Sequence, residues 1–225
     1  RSEKRVEAHF KWAVASSNAG RLAAMLTEAQ TMLAAKPAEL DGHKLLFNTE
    51  KDTLDLTGGE IKPLPHKREH KITRLAPVAY DPAAKCPQFE AFMARVLPDD
   101  EVREFVRRWL GYCLTGSTAE QAIAMFWGRG ANGKSTLLAV LKDLLGNYAR
   151  PLPVASLLHV ENRRGSEATP DLARLPGVRF VVASEPETGA RFSESAIKSM
   201  TGDDTMTVRH LNKGFFEFKP QCKIT

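Results

Sequence analysis

The eight residues Gly128-Arg129-Gly130-Ala131-Asn132-Gly133-Lys134-Ser135 satisfy the spacing G-x-x-x-x-G-K-[ST], and Thr136 extends the run to GKST. Glycines at that spacing let backbone N–H groups curl around a polyphosphate. A helix beginning at the lysine adds the positive end of its dipole at the same point. In such a loop Lys134 reaches the β- and γ-phosphates of ATP, and the Ser135 hydroxyl helps to hold Mg²⁺. Two carboxylates downstream fit the same chemistry. Glu185 and Glu187 follow the apolar run Val178–Ala183, where P-loop motors carry acids facing the phosphates across the sheet edge. Glu185 is expected to hold the metal and Glu187 to orient the attacking water, with Pro186 between them leaving that division open. Two solvated loop carboxylates are the alternative. Further on, two β-rich runs flank Asn212-Lys213-Gly214, which predicts a hairpin with a basic tip. A cationic tip suits a nucleic-acid backbone, although hairpin tips are also polar simply because they are wet.

These residues need a scaffold, and the apolar spacing supplies one. Ile123–Trp127 reads as a strand leading into the loop. Leu137, Leu138, Leu141, Leu144 and Leu145 recur at helical steps, and Gly146-Asn147 stops them. After a loop with Pro151 and Pro153 and a polar stretch over 161–167, Thr169-Pro170 resembles a helix start. A second strand is expected over Val178–Ala183, and Ser193 is a good cap for a short helix over Glu194–Met200 that ends at Gly202. Strand alternating with helix around a P-loop predicts an α/β core with a parallel sheet. Upstream, residues 1–36 read as two helices broken near Ser16-Ser17-Asn18, the second carrying Leu33 and ending at Lys36-Pro37. A small β-meander should follow over Leu45–Phe47, Thr53–Leu56 and Ile61, with one more short strand at Ile72–Leu75. Helices are expected over Phe89–Leu97 and Asp100–Leu114, the latter with Val102, Phe105, Val106, Trp109, Leu110 and Cys113 on one face. Thr115-Gly116-Ser117 is the expected boundary between a pre-motor region, 1–115, and the ATPase core, 116–225. Trp12 and Trp109 are expected in the core, and Trp127 in sheet packing rather than under an adenine ring.

Composition narrows the class. The chain has 225 residues, 43% hydrophobic and 26% charged, with a formal net charge of +5. That excess is compatible with a nucleic-acid partner and common elsewhere. Lys62, Lys67, Arg68, Lys71 and Arg74 against Glu69 read as a solvated connector in preference to a DNA-facing collar. No apolar run approaches membrane-spanning length and no leader is visible at the charged start. Three scattered cysteines argue against a disulfide framework or a thiolate zinc site, so a reducing cytoplasm fits best. His66 and His70 stand four apart without further ligands, so metal binding there is not expected.

The ordered set GRGANGKST, VVASEPE, IKSMTGDDTMTVRHLNK and FEFKPQCKIT resembles the superfamily III helicase domain, in particular the phage and plasmid primase–helicases of satellite-phage type related to the poxvirus primase–helicase. LFNTEKDTLDLTGGEIKP, LAPVAYDP and RRWLGYCLTG resemble the region preceding the motor in those proteins. The resemblance implies a P-loop NTPase of AAA-like fold and a third motif running from Lys198 through Gly202 to Arg209. It also implies a pore hairpin over His210–Gly214, with Arg209, His210 and Lys213 as DNA contacts. It implies Mg²⁺ and ATP between the subunits of a homo-hexamer, 3′ to 5′ travel on single-stranded DNA, a primase region upstream in the parent protein, and the cytoplasm of a bacterial host. Family members carry a sensor asparagine and an arginine finger beyond the position matching Thr225, so a chain starting at Arg1 and ending there is expected to be a fragment with little hydrolysis. A P-loop small-molecule kinase and a non-catalytic DNA-binding or assembly fragment are the alternatives.

Overall fold

A computed structural model describes residues 2–32, 39–159 and 169–225. Leu33, Lys36-Pro37 and the polar stretch 161–167 lie outside the described residues. Two compact units divide the chain, residues 1–39 and 40–225. The first is a pair of helices, α1 (Ser2–Ser16) and α2 (Ala19–Met32). Asn18 starts α2: its Oδ1 accepts from Gly20 N at 2.9 Å and its carbonyl from Leu22 N at 3.0 Å. No residue of α2 is buried, and Trp12 is 70% exposed, contrary to the core position expected from its helical spacing. Two short helices alone do not enclose enough volume to take an indole out of water.

The second unit begins with an antiparallel meander, β1 (Leu46–Asn48), β2 (Thr53–Asp55) and β3 (Lys62–Leu64), paired Phe47 to Leu54 and Leu54 to Pro63. The strand expected at Ile72–Leu75 is absent. There the backbone is held by side chains, Thr73 N by Asp41 Oδ1 at 2.7 Å and Leu75 N by Asn147 Oδ1 at 2.6 Å, and the bridging residue is Ala76, opposite Thr49. Helices α3 (Pro87–Val96) and α4 (Asp100–Leu114) follow. Asp99 caps α4 by accepting from Glu101 N and Val102 N. Val106, Trp109 and Cys113 are buried, whereas Val102 and Phe105, expected on the same face, are exposed, Phe105 by 60%. Glu104 forks between Arg107 and Arg108 at 2.7–2.9 Å, and these two guanidinium groups hold its carboxyl down to about 2.

Helix α5 (Lys134–Leu145) leads to the central sheet, formed by β4 (Ala149–Leu152), β5 (Phe180–Ala183) and, at the end of the chain, β8 (Lys223–Ile224). The order is β4-β5-β8, all parallel. Between β5 and β8 the chain forms α6 (Glu194–Thr201) and the antiparallel pair β6 (Met206–Arg209) and β7 (Phe215–Phe218). The strand expected over Ile123–Trp127 contracts to one parallel bridge, Ile123 to Ile224, with Ala124 N donating to Ile224 O at 3.0 Å. Conversely, the loop expected around Pro151 is part of strand β4. Proline is tolerated there because β4 is the outer strand and pairs on one side only. The segment after Thr169-Pro170 forms a 3₁₀ turn over Leu172–Arg174 in place of an α-helix. Successive residues of β5 enter opposite layers: Phe180 joins Met93, Trp109, Leu137 and Leu141 on one face, and Val181 joins Leu152, Leu175, Met200 and Val208 on the other.

Two buried cations fasten α4 to this sheet. Arg179, 2% exposed, donates to Leu114 O, to His43 O at 3.0 Å and to Leu46 O, and lies over the rings of Tyr148 and Phe47 at 4.9 and 5.6 Å. Lys223, 2% exposed, donates to Thr115 O, to Ser117 O and Gln221 O at 3.1 Å, and faces the Tyr112 ring at 4.7 Å. The last carbonyls of a helix lack intrahelical donors, and cations at that end also meet the negative pole of the dipole. Burial pushes the Lys223 ammonium down to about 7. Between that value and the ordinary 10.5, the unfolded chain binds more protons than the folded one, so this group adds stability as pH rises from about 7. Burial also pushes Cys113 and Cys222 up to about 12 and 11, so above about 9 they act in the opposite direction. Urea midpoints at pH 6.5, 7.5 and 8.5 are therefore expected to rise less in Lys223→Met than in the parent protein. Parallel profiles would show that Lys223 does not titrate in this window.

Candidate nucleotide-binding site

The loop 128–133 leaves the Ile123 bridge and turns into α5 through Gly133, which has φ +83° and occupies the N-cap position. A Cβ there would lie 2.7 Å from Val96 Cγ1 and 3.2 Å from Phe92 Cζ. Glycine is thus required for both the backbone angle and the close approach to α3. Ala131 also has positive φ, +58°, and no acidic residue occupies the first turn of α5 to neutralise its positive pole. Lys134 Nζ curls back over the loop, donating to Gly128 O at 2.8 Å and Asn132 Oδ1 at 3.0 Å. Arg129, Ser135 and Thr136 are exposed, and a Cβ on Gly130 would meet nothing within 4 Å. An exposed glycine-rich turn therefore carries one amine and two hydroxyls, chemistry suited to a phosphate chain.

The carboxylates leave the sheet at the same edge. Ile123 is aligned with Ile224 and Ile224 with Val181, all parallel. Gly128 lies five residues beyond Ile123, and Glu185 four beyond Val181, so both emerge from the C-terminal ends of the strands. Glu185 and Glu187 are exposed. One serine hydroxyl with one or two carboxylates is a hard-oxygen donor set that suits Mg²⁺, which takes few protein ligands and fills its shell with phosphate oxygens and water.

The residues expected to contact DNA are together on the β6–β7 hairpin, in differing states. Arg209 lies over the Phe215 ring at 5.0 Å, and the His210 ring stacks on Phe216 at 5.5 Å. Lys213 is exposed at the tip, its N–H donating to His210 O at 3.2 Å, with Asn212 at φ +57° completing the turn. Asp203 braces the hairpin base through Lys44 at 3.1 Å and Lys219 at 3.2 Å. Lys198 pairs with Glu194 along α6 at 3.5 Å, and Ser193 caps that helix through Ala196 N. His66 meets Thr53 Oγ1 and His70 stands edge-on to His43. Of the connector cations, Arg74 is half-buried and donates to Asn147 O and Pro176 O, a tie to the core that its charged context concealed. An apolar cavity of about 580 Å³, lined by Met93, Leu110, Leu141, Leu144 and Phe180, lies beside the far end of α5.

Residues 2–98 match the family described as D5 N terminal like, and residues 126–225 match a family of unknown function, DUF5906. A protein of Acanthamoeba polyphaga mimivirus whose name proposes a helicase is 36% identical over 132 residues, which is 59% of this chain and 14% of that protein. An African swine fever virus protein whose name proposes a primase is 25% identical over 181 residues, covering 77% of this chain and 18% of that protein. The chain spans only 14–18% of the length of these viral relatives. Among solved structures, the NrS-1 C-terminal region (305–718) has a TM-score of 0.48 at 13% identity, covering 80% of this chain and 52% of that one. No helix among the described residues is long and apolar enough to cross a membrane.

Proposed function

We propose that this chain is the motor segment of a replication primase–helicase from a phage, plasmid or related element, binding Mg·ATP and using its hydrolysis to move along single-stranded DNA. The observation that carries this reading is the loop 128–135, with a left-handed glycine seated on α3, a lysine folded over it, and carboxylates leaving the same sheet edge. In this account Lys134 exchanges its bonds to Gly128 O and Asn132 Oδ1 for β- and γ-phosphate oxygens. Ser135 and Glu185 hold Mg²⁺, which neutralises charge developing on the phosphates when bound. Glu187 orients the attacking water. Residues 116–225 form the ATPase core of a P-loop fold, and residues 1–115 serve as a collar through which six copies assemble. The hairpin then meets the strand, with Lys213 at its exposed tip and Arg209 and His210 supported by Phe215 and Phe216. The relatives' names, which propose a helicase and a primase, support the same role.

The DNA half of the proposal has its own test. Lys213→Ala should weaken binding of an oligo-dT probe, and log K against log salt should flatten by about 0.7 for one lost phosphate contact. ATP affinity should be unchanged. An unaltered salt slope would remove the hairpin tip from the DNA path.

A further inference from the structure

Trp127 does not pack in the sheet. It is 94% exposed, the largest exposure of any bulky apolar residue among those described. The reason lies in the alternation of the extended segment: Ala124 is buried and Phe126 half-buried against the core beneath α5, while Met125, 70% exposed, and Trp127 take the other side. The segment pairs with β8 through the Ile123 bridge. One peptide bond separates Trp127 from Gly128, whose carbonyl accepts from Lys134 Nζ at 2.8 Å.

We infer that Trp127 is the stacking platform for the nucleobase of the nucleotide whose phosphates the loop takes, an inference that rests on the nucleotide-binding reading above. Covalent adjacency holds the indole within a nucleotide's length of the loop, whatever the rest of the site does, whereas nothing comparable ties it to the β6–β7 hairpin and its strand. Phe92 also approaches the loop, but it is half-buried in the core against α5 and its ring edge abuts Gly133. Stacking reads the face of a ring and not its hydrogen-bonding edge, so it tolerates any base and favours the larger purines. The ligand class is therefore purine nucleoside triphosphates, with ATP and GTP bound alike.

The experiment compares calorimetric affinities of Mg·ATP, Mg·GTP and inorganic tripolyphosphate for the parent protein, Trp127→Ala and Trp127→Phe. The parent should bind ATP and GTP within about threefold of each other, both more tightly than tripolyphosphate. Trp127→Ala should lose about 5- to 100-fold in ATP affinity and keep its tripolyphosphate affinity, which also reports that the loop is folded. Trp127→Phe should retain most of the ATP affinity. If Trp127→Ala leaves the ratio of ATP to tripolyphosphate affinity unchanged, the platform is refuted. A loss of oligo-dT affinity with that ratio intact would refute it in favour of a strand contact. If the parent binds neither ATP nor tripolyphosphate, the phosphate-loop reading itself fails, an outcome distinct from the other two.

Discussion

Lys134→Ala is expected to weaken Mg·ATP binding by about two to three orders of magnitude. The amine curls over the 128–135 loop, and its present partners are a carbonyl and an amide oxygen of that loop. A triphosphate offers it charge-assisted bonds in their place, and truncating one partner of such a contact costs about 2–5 kcal/mol. The fold should hardly respond. Two hydrogen bonds confined to a surface loop contribute about 1 kcal/mol net, or about 2–4 °C in a domain of this size. Calorimetry and thermal melting separate the two quantities. Equal ATP affinity in parent and variant would mean that the loop does not take the phosphates.

Arg179→Ala is expected to cost about 3–5 kcal/mol of stability, a large share of the roughly 5–15 kcal/mol that a domain possesses. Its guanidinium is the shared donor for carbonyls from three places: Leu114 at the end of α4, His43 before the meander, and Leu46 within it. Burial pushes this group down to about 10, so it remains charged at neutral pH. Alanine leaves three carbonyls without that donor and a void against Tyr148 and Phe47. Arg179→Lys keeps the charge but not the fork, and should fall between alanine and the parent. A urea midpoint for Arg179→Ala close to that of the parent would show that the Arg179 guanidinium does not fasten α4 to the sheet.

The elements readable from the sequence were those whose causes are local. The start of α5 at Gly133-Lys134, the Asn212 turn between β6 and β7, the Ser193 cap and the meander each rest on residues within a few positions of one another. What escaped depended on distant partners. Arg179 and Lys223 stand in apolar runs, RFVVA and CKIT, where a charge is anomalous. That anomaly was a signal of burial, but their acceptors lie at least 65 and 106 positions away, Gln221 excepted. Pro151 concealed β4, because a proline excludes central strands and is harmless on an outer one. Apolar type also failed to dictate burial: Trp12, Phe105 and Trp127 share the periodicity of core residues, yet they are 70%, 60% and 94% exposed. At the candidate site, the order loop, helix, acidic strand end and basic hairpin was legible. The curl of Lys134 onto Asn132 and the seating of Gly133 on α3 were not, since both need the folded loop.

The most direct measurement of the central claim is a calorimetric titration of Mg·ATP into the protein, followed by competition. The account predicts saturable binding of one nucleotide per chain, displaced by ADP and by tripolyphosphate but only weakly by adenosine, because the loop grips the phosphates. Absence of saturable binding, or displacement by adenosine as effective as that by ADP, would contradict it.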